Sequence, residues 1–429
     1  MKNRLIKLSV MLLVLVAEIL PQEMLTLNDA IALAKQNNRY LLIAGNKEKI
    51  SENNLNIGNA GFLPTVDLSG SVIYNNQEMN NGGIKTTTKS TTNSANISAS
   101  YTLFDGLSRI YTYSKLKTGA ESGKLEKRLQ TESIISSVIT AYYNVSKAKD
   151  QLEIAAGALN ISRERLLRTK KKQDYGQAGK IDFLNSRVDF NADSVSYINA
   201  RTYLKLAKQN LNTILNRDID SDFNVSPEVN FESLPDLKEL VSLADAKNTE
   251  TLLSENDIKL AEEDVNLALS DYYPTLSLKA SYGYNGLYND LNISFDNPNK
   301  SFSTTLNLNF NLFNGFRNNI NKQNAEARLD NSKLLSEQTK LEIKNELTSA
   351  YRNYRDSRII LQTEEDNLEA AEANFQRTKE LYDLGKITNT EFRQAQLNFV
   401  QAKNSISIAK YNAKIYETDL KRISGLLVE

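Results

Sequence analysis

Two pairs of segments in this chain alternate apolar and polar residues, and they predict β-strands. The first pair covers 66–74 and 97–103, and the second pair covers 276–284 and 302–312. Alternation over roughly ten residues, with one apolar face and one mostly uncharged polar face, is typical of strands that cross a membrane. The alternative is a pair of hairpins half-buried in a soluble domain. It stays open because the alternating pattern of any single strand is only a weak signal of a membrane-spanning strand. The segment 75–96, rich in Asn, Gly, Thr and Ser, is predicted to be a loop.

Seven-residue repeats of apolar residues follow each strand pair and predict long helices. Large apolar residues recur at every seventh position over 138–166 and 347–375, and further runs follow at 183–211 and 392–406. A repeat sustained over this length indicates left-handed coiled-coil packing. An unbroken helix over 107–172 would extend ~100 Å at about 1.5 Å per residue. That length exceeds a globular core and suits a tube or a stalk.

Glycines interrupt the helical pattern once in each half of the chain. Gly176, with Gly179 close behind it, and Gly385 predict turns between paired helices. A shorter amphipathic helix is predicted before each strand pair, over 27–60 and 237–269. Each half therefore has the order of helix, strand pair and helical hairpin.

The two halves share this order because the chain contains an internal repeat. The sequence Phe-Leu-Pro-Thr at 62–65 returns as Tyr-Tyr-Pro-Thr at 272–275, and Leu-Phe-Asp-Gly at 103–106 returns as Leu-Phe-Asn-Gly at 312–315. The distance along the chain from 62 to 272 and the distance from 103 to 312 agree to within a single residue. Chance does not produce such agreement between segments so far apart.

The repeat predicts how the chain is divided. We expect a first structural repeat over 22–217, a polar linker over 218–235, and a second repeat with the C-terminal tail over 236–429. Residues 1–21 resemble a secretory signal peptide, with basic residues before an apolar run that is too short to span a bilayer. The cleavage site is poorly defined, and an uncleaved anchor is the alternative.

The amino-acid composition excludes several common kinds of catalytic and metal-binding site. The chain of 429 residues has 52 basic and 52 acidic residues, so bulk charge suggests no polyanionic partner such as nucleic acid. It contains no Cys and no His, which excludes disulfides, Cys nucleophiles, His bases and Cys/His zinc sites. We therefore predict no catalytic residue, no cofactor and no metal site.

Four strands per chain predict an oligomer. The smallest transmembrane barrels have about eight strands, and an open sheet in lipid would leave unpaired edges. Two copies would supply eight strands and three copies twelve, and only twelve would leave an open lumen. The fold class is thus mainly α with a transmembrane β part, and the strand count alone leaves the number of copies open.

The order and spacing of these motifs resemble the TolC family of outer-membrane efflux and secretion proteins. The motifs that carry the resemblance are Leu63-Pro64-Thr65, Tyr273-Pro274-Thr275, the segments 103–106 and 312–315, Ala141-Tyr142-Tyr143-Asn144-Val145, and the turns around Gly176 and Gly385. The resemblance implies a homotrimer with a twelve-stranded barrel in the bacterial outer membrane and an α-helical tunnel extending into the periplasm.

This resemblance implies a passive exit duct of a tripartite efflux or type I secretion system, and not an enzyme. A soluble periplasmic or surface coiled-coil protein, structural or adhesive, is the alternative. The implied partners are outer-membrane lipid, a periplasmic adaptor (membrane fusion) protein and an inner-membrane transporter. The exported substrate is not encoded in the duct.

The hairpin turns are where the resemblance places gating and adaptor docking. The docking tip would consist of Tyr175, Gly176, Gln177, Leu384, Gly385 and Lys386, although only the glycines match the family motif.

A constriction of the pore is predicted close to the same turns. The resemblance places its candidates at Asp182, Glu391 and Gln394, and a ring of carboxylates there would favour cations. The alternative is that Asp182 and Glu391 stabilise the first turns of their helices. The resemblance also implies a salt-bridge network that locks the hairpin ends, and four basic residues are available for it: Lys180, Arg187, Lys386 and Arg393. Nothing in the sequence pairs them with acidic residues, so solvation at the surface is expected for each.

Overall fold

The computed structural model describes residues 24–177, 179–226, 228–289 and 299–428. The predicted signal peptide, residues 1–21, lies outside this range. The described chain divides into two compact units. The first unit contains described residues of Met1–Gly45, Lys127–Thr251 and Lys340–Glu429, and the second is formed by those of Asn46–Glu126 and Leu252–Thr339.

Helices account for most of the described chain, and the predicted fold class of a mainly helical protein with long strands is confirmed. The helices are α1 (Leu27–Asn37), α2 (Arg39–Asn54), α3 (Ser108–Asp174), α4 (Lys180–Leu215), α5 (Leu237–Lys247), α6 (Thr249–Ser270), α7 (Arg317–Asp383) and α8 (Asn389–Ile423). The strands are β1 (Met24–Leu25), β2 (Thr65–Asn81), β3 (Ile84–Asp105), β4 (Asn224–Val225), β5 (Thr275–Asn289) and β6 (Asn299–Asn309). Within the described residues, none of the helices has the length and apolar character needed to cross a bilayer.

Each half of the chain has the same order of elements. Two short helices precede a strand pair, which is followed by a long helix and a shorter one. The long helices α3 and α7 each contain 67 residues without a break, as the heptads over 138–166 and 347–375 predict. This matching order supports the proposed division into two repeats.

The predicted single helices over 27–60 and 237–269 are wrong in two respects: each is divided into two helices by an asparagine, and the first helical segment ends at Asn54 instead of residue 60. The Asn38 side chain donates to the carbonyl of Ile214 at 2.8 Å and accepts from the backbone amide of Tyr40 at 2.9 Å. Asn248 repeats the arrangement, donating to the carbonyl of Ile423 at 2.9 Å. These side chains replace helical backbone bonds, so a new helix begins after each asparagine.

The strands β2, β3, β5 and β6 form one antiparallel sheet in the order β2-β3-β5-β6. The loop predicted over 75–96 is wrong, since β2 and β3 stay paired as far as Asn81 and Ile84. Gly82 and Gly83, with φ of 62° and 92°, make the tight turn between them. Two consecutive residues in this conformation favour glycine, and they allow a hairpin where polar composition suggested a loop.

The strand predicted over 302–312 is displaced by a few residues. β6 runs from Asn299 to Asn309, so it begins earlier and stops before Phe310. The alternating sequence continues past Asn309, the last residue of β6 that is paired. Alternation places side chains on one side of an extended chain, but a strand also requires a partner for its backbone hydrogen bonds.

The main core of the first unit surrounds Tyr142 of α3. The strand β1 pairs with β4 in parallel, so the predicted linker over 218–235 contributes a strand. The Tyr142 hydroxyl lies 3.0 Å from the carbonyl oxygens of Leu25 and Ser226. Burial raises the pKa of Tyr142, while the hydrogen bond to the Ser226 backbone opposes that rise. One buried hydroxyl therefore fastens both short strands to the long helix.

Candidate functional site at the ends of the helical hairpins

The turn from α3 to α4 and the turn from α7 to α8 have the same geometry. Gly176 and Gly385 have φ of 72° and 71°. In the first turn, the amide of Gln177 donates to the carbonyl of Lys172 at 2.7 Å; in the second, Lys386 donates to Leu381 at 2.9 Å. This is a helix ending closed by a left-handed residue, the position at which glycine avoids steric strain. The prediction of hairpin turns at these glycines is confirmed.

The predicted docking residues lie on these turns with their side chains exposed. Tyr175 and Leu384 occupy equivalent positions and are 78 % and 69 % exposed. Gln177 and Lys386 follow the two glycines and are also exposed. Each turn thus presents one large apolar side chain, a glycine and a polar side chain to solvent, and adaptor docking there stays a prediction.

Glu391 forms a hydrogen-bonded box at the start of α8. Its Oε2 accepts from the backbone amide of Thr388 at 2.7 Å, while the Thr388 hydroxyl accepts from the backbone amide of Glu391 at 3.2 Å. The hydrogen bond from the Thr388 amide lowers the pKa of the Glu391 carboxyl. Glu391 therefore stabilises the first turn of α8, which was one of the two roles considered for it. Its role in a pore constriction stays a prediction.

The other two constriction candidates are also exposed at helix starts. Asp182 lies in the first turn of α4, where Gly179 is the N-terminal cap and offers no side chain. Its negative charge is favourable at that end of the helix. Gln394 lies one turn into α8 and donates to the Asn398 side chain at 2.9 Å. No described contact joins Asp182 to either residue of α8, so the structure leaves their proposed ring untested.

An aromatic stack binds the two helices of the second hairpin. The rings of Phe375 and Phe399 are 5.0 Å apart and nearly parallel, at 8°. Tyr382 stacks on Phe392 with ring centres 4.5 Å apart. These side chains form a buried cluster in the first unit. Aromatic pairs add to the stabilisation that their buried area provides, so α7 and α8 are held firmly behind the turn.

The two hairpins are joined to each other by buried ion pairs. Both terminal nitrogens of Arg393 on α8 donate to Asp193 on α4 at 2.8 Å, and its Nε lies 3.6 Å from Asp189. The expected solvation of Arg393 is therefore wrong. Asp189 and Asp193 are four residues apart and lie on one face of α4, so both can face the same guanidinium.

Arg165 of α3 contacts one of these two carboxylates, that of Asp189. Its Nη2 donates to Asp189 at 2.5 Å, and its side chain is 1 % exposed. Burial lowers the pKa of Arg165, and the charge of Asp189 opposes that effect. Burial also lowers the pKa of Arg393, but its hydrogen bond to Asp193 and the nearby carboxylates outweigh burial and raise it. We call Arg165, Asp189, Asp193 and Arg393 the hairpin ion network.

A second set of contacts joins the hairpins closer to the turns. Arg168 of α3 forms an ion pair with Asp383 of α7 and donates to its carbonyl at 3.0 Å. Its guanidinium also lies 5.1 Å from the ring centre of Tyr382. On the opposite helices, the Asn389 side chain donates to the Ser186 hydroxyl at 3.3 Å. The pattern of apolar residues gave no sign of these contacts, because they depend on which helix faces which.

Comparison with known proteins gives two matches to one family model, one in each half of the chain. The sequence model of the family described as "Outer membrane efflux protein" matches residues 30–217 and again residues 240–426. The chain belongs to the outer membrane efflux protein family. The resemblance to the TolC family is therefore confirmed, and with it the placement in the bacterial outer membrane and the function of an exit duct.

Individual members of the family share little sequence with the chain. It is 22 % identical over 405 residues to the outer membrane protein TolC of Escherichia coli (strain K12), covering 89 % of this chain and 77 % of TolC. It is 23 % identical over 314 residues to the alkaline protease secretion protein AprF of Pseudomonas aeruginosa, covering 70 % of this chain and 63 % of AprF.

A solved structure shows the same fold. The Campylobacter jejuni CmeC outer membrane channel has a TM-score of 0.80 at 18 % identity, and the match covers 94 % of this chain and 86 % of that one. In the part of the chain that the structure describes, no group of three or more acidic residues could hold a metal ion.

Proposed function

We propose that three copies of this chain form the outer-membrane duct, that the duct is passive, and that it opens at the helical hairpin ends. The observation that carries this proposal is the hairpin ion network, which ties α4 to α8 beside two glycine turns. A passive duct needs no catalytic group, and the chain has neither Cys nor His to supply the commonest ones. The soluble coiled-coil alternative is not favoured by the family to which the chain belongs.

The order of strands supports closure of the sheet by further copies of the chain. The outermost strands of the described sheet are β2 and β6. Every neighbouring pair is antiparallel, so β2 and β6 run in opposite directions. The β6 strand of one copy can therefore pair with β2 of the next and continue the antiparallel pattern. Pairing satisfies the edge groups that lipid would leave without hydrogen-bond partners, and three copies provide twelve strands.

Opening requires the two hairpins of a chain to separate, so the ion network must be broken. Separation would break the two hydrogen bonds between Arg393 and Asp193, and a hydrogen bond to a charged group contributes roughly 1.5–3 kcal/mol. The network therefore favours the joined arrangement of the hairpins. A partner that binds the exposed turns could supply this free energy, and the residues proposed to bind a periplasmic adaptor are the exposed ones at these turns. An inner-membrane transporter would deliver the cargo.

The test is the conductance of detergent-extracted protein in a planar bilayer. We expect Arg393→Ala to give larger single-channel conductance than the wild type, because Asp189 and Asp193 lose their contact with α8. The matched control is Arg377→Ala, since Arg377 is an exposed α7 arginine whose ion pair among the described residues, with Glu380 at 2.9 Å, lies within its own helix. Channels with unchanged conductance in Arg393→Ala would overturn opening at the network. A protein that forms no channels would overturn the duct itself.

A further inference from the structure

The four-stranded sheet of the second unit has two chemically different faces, and the strand register assigns each residue to one of them. One row across the sheet consists of Ser98, Ser281 and Ser303, and the last two have their hydroxyl oxygens 2.8 Å apart. The adjacent row is apolar, with Leu68, Ile97, Tyr282 and Phe302. Since neighbouring rows point to opposite sides, the sheet has a polar face and a largely apolar face over 65–72, 94–102, 275–285 and 301–309. Toward the turn between β2 and β3 this difference is lost, because Glu78, Lys85 and Lys89 lie on the second of these faces.

Hydroxyl and amide side chains make up most of the polar face, and its apolar members Ile73, Met79, Ile84 and Leu287 lie toward the turn between β2 and β3. In the described strand residues, that face carries three charged side chains: Asp67 on β2, Asp105 at the end of β3 and Lys279 on β5. The Asp105 carboxylate is neutralised locally, because the Nε of Arg109 lies 3.0 Å away. Asp67 and Lys279 are both exposed and remain as one negative and one positive charge.

Asp67 and Lys279 lie close to one another on this face. Asp67 is opposite Ser98 of the middle strand, and Lys279 is opposite Ser100, two residues further along it. The two side chains are thus two strands apart and offset by two residues, which places their backbones ~12 Å from each other. Around a closed wall of three copies, three carboxylates and three ammonium groups would occupy one narrow band.

We propose that Asp67 and Lys279 are a compensating pair that removes charge preference from the strand section of the duct, so that polar solutes of either sign can pass it. The inference rests on the proposed function, because only in a duct does the polar face line the path of the cargo. Wall charges act on ions over about a Debye length, ~10 Å in about 0.1 M salt. Two opposite charges at a similar separation cancel for an ion near the axis, and the remaining hydroxyl and amide groups bind ions weakly.

The experiment compares the ratio of K⁺ to Cl⁻ permeability in planar bilayers for the wild type, Lys279→Gln, Asp67→Asn and the double variant. Lys279→Gln should raise the ratio and Asp67→Asn should lower it, each about two-fold in about 0.1 M salt and more at lower salt. The double variant should return to the wild-type ratio. The control is Lys300→Gln, because Lys300 is opposite Tyr284 on the apolar face and its loss should leave the ratio unchanged.

A single variant that forms channels with the wild-type ratio would overturn the compensating pair while leaving the duct intact. The same conclusion would follow if Lys300→Gln shifted the ratio as far as Lys279→Gln. If one of the glutamine or asparagine variants fails to assemble, Lys279→Cys provides a second route, because the chain has no other cysteine. A cationic thiol reagent should then restore the wild-type ratio and an anionic one should raise it further. Absence of channels in the wild type would instead contradict the proposed function.

Discussion

Arg393 on α8 and Asp193 on α4 form a two-point ion pair, with both terminal guanidinium nitrogens 2.8 Å from the two carboxylate oxygens. The residues come from different repeats of the chain and are both largely buried. Two parallel hydrogen bonds fix the angle between the groups as well as their distance. The pair therefore sets how the first helical hairpin lies against the second.

The buried arginine Arg165 makes the network sensitive to loss of Asp189. Within the described part of the chain, its Nε and Nη1 have no hydrogen-bond partner, and Asp189 is the carboxylate that its remaining nitrogen contacts. We expect Asp189→Ala to reduce the free energy of unfolding by roughly 3–5 kcal/mol, because it leaves a buried charge unpaired. Chemical denaturation followed by the circular dichroism of the helices would measure the loss.

Two further variants test whether the loss of stability in Asp189→Ala comes from the unpaired charge of Arg165 or from the removal of any carboxylate. Glu380→Ala removes an exposed carboxylate that pairs with Arg377 and should cost about 0–1 kcal/mol. Combining Asp189→Ala with Arg165→Met should recover most of the loss, since an apolar side chain of similar length needs no partner. A double variant as unstable as Asp189→Ala alone would contradict the assigned role of Arg165.

A disulfide between α4 and α8 should hold the duct closed. The Ser186 hydroxyl and the Asn389 amide nitrogen are 3.3 Å apart, so cysteines at both positions are close enough to test. The chain has no cysteine of its own. We expect Ser186→Cys with Asn389→Cys to lose export under oxidising conditions and to regain it when a reductant is added. Each single variant serves as a control, and undiminished export from fully oxidised protein would show that these helices need not separate.

The two interpretations of Glu391 can be separated by paired variants. Glu391→Gln keeps the hydrogen-bonding side chain that closes the box with Thr388 but removes the charge. It should therefore change cation preference in a bilayer only if Glu391 also lies at the constriction. Thr388→Ala keeps the charge and removes the cap, and it should cost about 1 kcal/mol of stability.

The lowered pKa of Glu391 also gives a direction for the effect of pH. Its carboxyl has a lower pKa in the folded chain than in the unfolded one, because it accepts from Thr388. Its stabilisation is therefore present above the unfolded pKa and is lost as pH falls through the folded pKa. In Glu391→Gln, this acid-dependent part of the stability should be absent from thermal denaturation curves recorded at a series of acidic pH values.

The elements themselves could be predicted from local sequence, and the reason is periodicity. A seven-residue repeat buries one stripe of a helix and an alternating pattern buries one face of a strand, so 138–166 and 66–74 indicate their structures without knowledge of any partner. Gly176 and Gly385 likewise marked the hairpin turns, since each needs a positive φ. The internal repeat then indicated the order of elements in both halves and the resemblance to the family.

Side-chain pairing was decided only by the tertiary structure. The polar segment around Gly82 and Gly83 forms a long hairpin because β2 pairs with β3 on either side of the two glycines. Amino-acid composition does not predict this pairing. Arg393 has the appearance of a solvated surface residue until α4 places Asp189 and Asp193 against it. Charged side chains far apart in sequence carry no mutual periodicity, so their pairing depends on which helix faces lie together in the folded chain.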